Sequence, residues 1–247
     1  MTAPRFFIAD GIAPGQAGGA IALPESVAHH ATRVLRLSVE NALTLFDGRG
    51  GEYSATLSRV DKRGAIARLD AFDPVERESP LDVTLVQSVL ATDAMDYAVR
   101  KAVELGVTRI VPVIAERSQR SLAGEKGEKR LMHWRSIAIA ACEQCGRNRV
   151  PEVEAPLSFE AWLHGVAVRG TVAMAGPGAR ESLASLAARE LPYQLLIGPE
   201  GGFSDAEMAA GIARGAVAVH LGPRVLRAET AAVAALAMLA AGAGDAR

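Results

Sequence analysis

QLLIGPEGGFSDAE, Gln194 to Glu207, runs an apolar strand into a glycine-rich turn and out into a helix, and VHLGPRVLRAETA, Val219 to Ala231, does so again. In the first stretch the strand ends at Ile197, and Gly198, Pro199, Gly201 and Gly202 follow with little side-chain bulk. Glycines there let the backbone approach a ligand closely. Ser204 and Glu207 have capping-box spacing, and the helix they open begins with N–H donors that have no partner inside it. In the second stretch Gly222-Pro223 leads through a short arm, with Arg224 and Arg227, into the next helix. Ligands of open α/β sheets lie beyond the carboxyl ends of the strands, so two such turns predict one crevice. The unit's first strand is not followed by G-x-G-x-x-G, and no Walker A lysine follows the glycines. A dinucleotide site and nucleotide hydrolysis are therefore disfavoured.

The same alternation extends back to Leu81. Strands are predicted near Val83–Val89, Arg109–Val113, Gly170–Ala175, Gln194–Ile197 and Val217–Leu221. Helices are predicted near Asp93–Leu105, Glu128–Cys145, Glu181–Ala188, Ser204–Arg214 and Ala228–Ala241. Strand-helix alternation implies an α/β fold with a mostly parallel sheet covered on both faces. Upstream, FDPVERESPLD has the prolines and charges of a linker. The first ~75 residues read as a small β-barrel. Ala42–Phe46, Glu52–Arg59 and Gly64–Asp70 are its β-prone runs, joined at Asp47-Gly48 and at Asp61 to Gly64. A helix opened by Pro24 and Glu25 interrupts them, with Val27, Ala31, Val34, Leu35 and Leu37 as its apolar stripe. The expected division is 1–75 and 79–247.

At 247 residues and 49% hydrophobic the chain can bury a full core without disulfides or metals. No stretch reads as an export signal, and Ala231 to Ala241 is shorter than the roughly 20 residues a membrane span needs. A cytoplasmic location is expected. Net charge is −1, yet residues 100–149 hold 11 basic and 5 acidic side chains. A basic segment inside an otherwise acidic chain suits phosphate binding, or merely a solvated face.

GPEGGFS and LGPRVLRAETA together resemble the small-subunit ribosomal RNA methyltransferase E family, which methylates N3 of a uridine in 16S rRNA. RFFI near Arg5, HHATRVLRL with Arg33 and Arg36, RKAVELGV, ERS at Glu116 to Ser118 and EQCGRNRVPE at Glu143 to Glu152 carry the likeness over nearly the whole chain. That family belongs to the SPOUT group, so the resemblance implies a C-terminal parallel sheet with a trefoil knot, preceded by a PUA-like barrel. Where the family commonly has basic residues before Met95-Asp96, this chain has Ala91 and Ala94.

The resemblance further implies that S-adenosylmethionine is held by Ala175 and Gly176, by Ile197, Gly198, Pro199 and Gly202, and by Leu221, Gly222, Val225 and Leu226. Uridine N3 must lose a proton. Arg227 is the candidate to offset negative charge, and Glu200 or Glu229 to take the proton. RNA phosphates would meet Arg5, Arg33, Arg36, Arg117, Arg120, Arg135, Arg147 and Arg149, and the target base would leave its stack. The helix AAVAALAMLAA is apolar nearly all round, which fits a homodimer interface. No metal is expected. Cys142 and Cys145 form C-x-x-C inside a helix with no second cysteine pair, and His29 and His30 read as helix-surface residues. The alternatives are a SPOUT methyltransferase acting on transfer RNA and an RNA-binding ribosome-assembly factor without catalysis.

Overall fold

A computed structural model of the chain describes residues 3–13, 17–118, 124–165, 170–186, 191–243 and 245. It divides into two compact units, Met1–Glu78 with Cys142–Val150, and Ser79–Ala141 with Pro151–Arg247.

Among the described residues the first unit forms a five-stranded sheet in the order β1-β3-β4-β5-β2. Its strands are β1 (Arg5–Phe7), β2 (Ala20–Ala22), β3 (Ala42–Phe46), β4 (Glu52–Asp61) and β5 (Gly64–Asp73), with α1 (Glu25–His29) between β2 and β3. The β3, β4 and β5 runs alternate inward and outward, so Leu43, Leu45, Ala55, Leu57, Ala67 and Leu69 share one core with Phe6, Ala28 and Ala31. Asp47 closes the β3–β4 turn by accepting the Ile12 and Arg49 N–H groups at 3.0 and 3.1 Å.

Two expectations are corrected here. The apolar stripe of the helix was to include Val34 and Leu35, but both are exposed. After α1 the chain widens into a π-turn, His30–Val34, where the Leu35 N–H donates to the His30 carbonyl at 2.9 Å. Five residues per hydrogen-bonded step rotate the last side chains off the buried face. The chain leaves this turn through Arg36, at φ +56°. The second correction concerns Cys142–Val150, which groups with the first unit. The Phe7 N–H donates to Glu143 Oε1 at 3.0 Å, Arg5 Nη2 to Asn148 Oδ1 at 2.6 Å, and Asn148 Nδ2 to the Val75 carbonyl at 2.8 Å. These bonds satisfy the segment's polar groups against β1 and the chain after β5.

Among the described residues the second unit holds eight strands, all parallel, ordered β11-β13-β10-β12-β6-β7-β8 with β9 also on β7. In chain order they are β6 (Val83–Ser88), β7 (Arg109–Ile114), β8 (Glu152–Val153), β9 (Leu157–Ser158), β10 (Thr171–Ala175), β11 (Glu181–Ser182), β12 (Tyr193–Ile197) and β13 (Val217–His220). The helices are α2 (Thr92–Glu104), α3 (Glu125–Cys145), α4 (Phe159–Gly165), α5 (Asp205–Ala213) and α6 (Ala228–Ala243). Every residue of β12 is buried, as expected of a strand covered on both faces. Full burial of Leu195 and Leu196 contributes about 1.5–3 kcal/mol each. Over 181–186 the expected helix Glu181–Ala188 is instead β11 followed by a 3-10 turn, Leu183–Leu186, and its last two residues lie outside the described residues. Glu181 and Ser182 pair with Val219 and His220, and this ladder takes the first turn of the expected helix.

Candidate functional site

Three neighbouring strands, β13, β10 and β12, end in glycine-bearing loops that enclose a cavity of about 630 Å³. After β10 the wall is Ala175, Gly176, Pro177 and Gly178. After β12 it is Ile197 through Gly202, and after β13 it runs from Leu221 through Glu229 to Ala231. The structure thus gathers around one cavity all ten residues that the resemblance implies for the cofactor: Ala175, Gly176, Ile197, Gly198, Pro199, Gly202, Leu221, Gly222, Val225 and Leu226. Gly202 lies at φ +67° and Gly222 at φ +111°, a region that favours glycine, and a Cβ added at either meets no atom within 4 Å. Side chains there would project into open space. Gly198 is under a different constraint, since a Cβ would stand 3.0 Å from the Phe203 nitrogen.

The candidate chemical groups also line this cavity. Arg227, Glu229 and Arg224 are at its wall, and among the described residues their side chains have no hydrogen-bond or ion-pair partner. Unpartnered charges converging on a concave glycine-lined surface mark a site that binds polar ligand groups. Glu200 differs. The Ala91 N–H donates to its Oε1 at 3.0 Å, so its carboxylate caps the start of α2. Ser204 and Glu207 form the capping box at the start of α5, with the Ser204 N–H donating to Glu207 Oε2 at 2.9 Å.

Pro177, Gly178 and His220 also line the cavity and were not among the expected residues. A signal for the first two was present, because Gly176-Pro177 is a third Gly-Pro turn after a buried strand. His220 accepts the Gly222 N–H at its Nδ1 at 3.1 Å, which shapes the turn after β13. A lone histidine at a strand end gives no such hint.

The arginines expected to meet RNA do not form one class. Arg147 is 4% exposed and donates from Nε and Nη2 to Glu78 Oε2, at 3.0 and 2.6 Å. It is a buried structural ion pair, and the expectation of a phosphate contact there is corrected. Arg5 is also enclosed, pairing with Glu52 and donating to Asn148, with its guanidinium 4.9 Å from the Phe46 ring centre. Glu52 is thereby bridged between Arg5 and Arg77. Burial pushes its carboxyl pKa up, but hydrogen bonds from Arg77 and Arg5 outweigh that and hold it below the usual carboxylate range. Arg33 and Arg36 are exposed on the π-turn and its exit. Arg149 is exposed too, 3.3 Å from Glu76. Arg117 turns toward the β12 loop, donating to the Gly201 carbonyl at 3.0 Å, and Arg135 donates to the Val153 carbonyl at 3.1 Å. Arg120 lies outside the described residues.

Cys142 is buried, and burial pushes its thiol pKa up to about 12, so it is an inert core group. No group of three or more metal-ligating side chains occurs among the described residues, and no helix among them is long and apolar enough to cross a membrane.

A family model described as an RNA methyltransferase domain matches residues 77–240, and one described as an RNA methyltransferase PUA domain matches residues 23–70. The chain is similar to the ribosomal RNA small subunit methyltransferase E of Buchnera aphidicola subsp. Schizaphis graminum. The two are 31% identical over 91% of this chain and 92% of the relative. Among solved structures, a methyltransferase of Legionella pneumophila in complex with bound SAM has a TM-score of 0.91 and 35% identity, covering 98% of both chains. The Neisseria gonorrhoeae ribosomal RNA small subunit methyltransferase E, bound to S-adenosyl methionine, has a TM-score of 0.89 and 35% identity, covering 97% of this chain and 98% of that one. The α/β sheet, its three glycine loops and these likenesses along nearly the full length place this chain in the ribosomal RNA small subunit methyltransferase E family.

Proposed function

We propose that the chain transfers a methyl group from S-adenosylmethionine to N3 of a uridine in 16S ribosomal RNA. The observation that carries this reading is the cavity built by the loops after β10, β12 and β13. Its residues fit such a nucleoside. The volume of about 630 Å³ lies within the roughly 300–1,000 Å³ of small-molecule pockets. Gly202 and Gly222 leave the wall open where any Cβ would intrude. The apolar side chains of Ile197, Leu221 and Leu226 suit a purine ring, and the exposed backbone of the loops supplies its polar partners.

When bound, the sulfonium supplies an electrophilic methyl carbon for the uracil nitrogen. The chain's own task is to orient the base, exclude water and manage one proton. Arg227, unpartnered at the wall, balances the negative charge left on uracil as N3–H is lost. Glu229 is the better proton acceptor of the two carboxylates, because Glu200 Oε1 is already engaged by the Ala91 N–H. The first unit, which contains the residues 23–70 that the PUA model matches, presents Arg33 and Arg36 to RNA phosphates.

The strand order supports a knotted C-terminal sheet. β12 enters between β6 and β10, and β13 enters between β10 and β11, so late strands are inserted among early ones. A homodimer forms through α6. One face of that helix packs on α2 and β12. The other carries Thr230, Val233, Ala234, Ala237, Met238 and Ala241 at helical spacing, partly or fully exposed. The working compartment is the cytoplasm, where ribosomal RNA resides.

Mass spectrometry of 16S rRNA from a strain lacking the gene tests the reaction. One N3-methyluridine should disappear and return on complementation, and an unchanged modification map would refute the reading. Calorimetry with S-adenosylmethionine separates it from a non-catalytic assembly factor, which would give no binding heat.

A further inference from the structure

We propose that Arg117 is a positioning residue for the cofactor loop rather than a phosphate contact. The inference rests on the reading of the cavity as an S-adenosylmethionine site. Arg117 follows β7 in a tight turn, where the Ser118 N–H donates to the Ala115 carbonyl at 3.0 Å and the Ala115 N–H donates to Ser118 Oγ at 3.1 Å. The turn is therefore fixed on both sides of the arginine. From it the guanidinium Nη1 donates to the Gly201 carbonyl at 3.0 Å and to the Phe203 carbonyl at 3.5 Å. The residue before it joins the same grip, with the Glu116 N–H donating to Glu207 Oε1 at 2.8 Å. Glu207 Oε2 in turn accepts the Ser204 N–H at 2.9 Å. Two adjacent residues thus hold the outer side of the β12 loop and the cap of α5 together.

The aliphatic stem takes part as well. A Cβ on Gly201 would stand 3.2 Å from Arg117 Cβ and 3.4 Å from its Cδ, so a side chain there would press on the arginine stem and push it by a few tenths of an ångström. On the inner side Gly201 and Gly202 line the cavity, and Phe203 anchors the loop end by packing 5.4 Å, centre to centre, from Phe159. The loop is held between a fixed aromatic and a fixed guanidinium. Both bonds come from one guanidinium nitrogen, Nη1, which ties the two carbonyls at the outer edge of the loop.

Calorimetry of Arg117→Ala with S-adenosylmethionine and no RNA should give a Kd raised about tenfold, as expected for two lost hydrogen bonds to carbonyls. Arg117→Lys should recover part of that loss. Gly201→Ala disturbs the same loop from the opposite side without removing charge, and should weaken the cofactor similarly. In all three variants binding of a 16S rRNA transcript should stay within twofold of wild type. In steady state the cofactor KM should rise while the RNA KM holds. Loss of RNA affinity with a shallower salt slope, at unchanged cofactor Kd, would identify a phosphate contact and overturn the proposal. Unchanged Kd in Arg117→Ala and Gly201→Ala would also overturn it, as would a loss in proportion to a lowered melting temperature. Absence of S-adenosylmethionine binding by the wild-type chain would instead sink the reading of the cavity itself.

Discussion

Gly202→Val tests the cavity most directly, because the structure separates its two consequences. Gly202 sits at φ +67°, and a side chain held in that region costs on the order of 1–2 kcal/mol, with a β-branched residue at the upper end. A domain of this size has about 5–15 kcal/mol of stability, so the variant stays folded. Its melting temperature should fall by roughly 2–8 °C, at about 2–4 °C per kcal/mol. The second consequence is local. A Cβ at Gly202 meets no atom within 4 Å, and Gly202 lines the cavity, so the proposed reading of the site puts the isopropyl group in the ligand's space. Displacing ligand from that wall should raise the S-adenosylmethionine Kd at least about a hundredfold, near 2.8 kcal/mol. Gly202→Ala carries a similar backbone strain with one carbon and should lose about tenfold. Calorimetry gives the affinities and circular dichroism the melting curves. Wild-type affinity in the valine variant, with its melting temperature lowered, would show that this glycine is required by the turn alone and that the ligand lies elsewhere.

Arg147→Ala leaves the Glu78 carboxylate without its buried partner and should cost about 3–5 kcal/mol in urea unfolding, with RNA affinity of the folded fraction unchanged. Glu52 has its pKa held below the usual range, so its stabilisation is present above the unfolded carboxylate pKa and is lost as pH falls through the folded value. Glu52→Gln should therefore lower stability by about 1.5–3 kcal/mol at pH 7 and flatten the acid limb of stability against pH. Arg227→Ala should reduce kcat about a hundredfold or more while the cofactor Kd changes less than threefold, read by single-turnover methylation and calorimetry. Ala237→Glu places a charge on the exposed face of α6; if that face is the proposed dimer interface, light scattering should show the mass falling from twice 25.8 kDa to one chain.

How far the structure could be read from sequence depended on whether a residue's partner lay close along the chain. Ser204 and Glu207 are three apart, and their capping box is present as the spacing implied. Gly198-Pro199 and Gly222-Pro223 end strands whose apolar runs are continuous, so both loops and their common cavity followed from local pattern. The three-residue strands β1 and β2 carry too few alternations to register, and they exist because β3 and β5 offer them ladders. Val34 and Leu35 fit a helical stripe by spacing, but the stripe assumes 3.6 residues per turn, and the π-turn at His30–Val34 removes that premise. Glu200 and Arg117 have partners that no local pattern announces. Their partners, Ala91 and Gly201, are 109 and 84 residues away, and only the fold reveals what they hold.

The charge excess of residues 100–149 fails as a guide for the same reason. A window counts neighbours in sequence, whereas neutralisation is decided by neighbours in space. Glu76, Glu78 and Glu154 lie outside that window and pair with Arg149, Arg147 and Arg109 inside it, so half of the formal excess of six is cancelled within the fold. Three other arginines of the window have neutral partners among the described residues. Arg117 meets two carbonyls, Arg130 donates to the Thr92 hydroxyl at 2.7 Å, and Arg135 meets the Val153 carbonyl. A guanidinium bonded to a carbonyl keeps its full charge and has its geometry set by the protein, which is the state that orders a loop or attracts phosphate without reorganisation. Arginines are therefore better sorted by the charge of their partners than by their density along the chain, and on that basis Arg147 belongs to stability and Arg117 to the site.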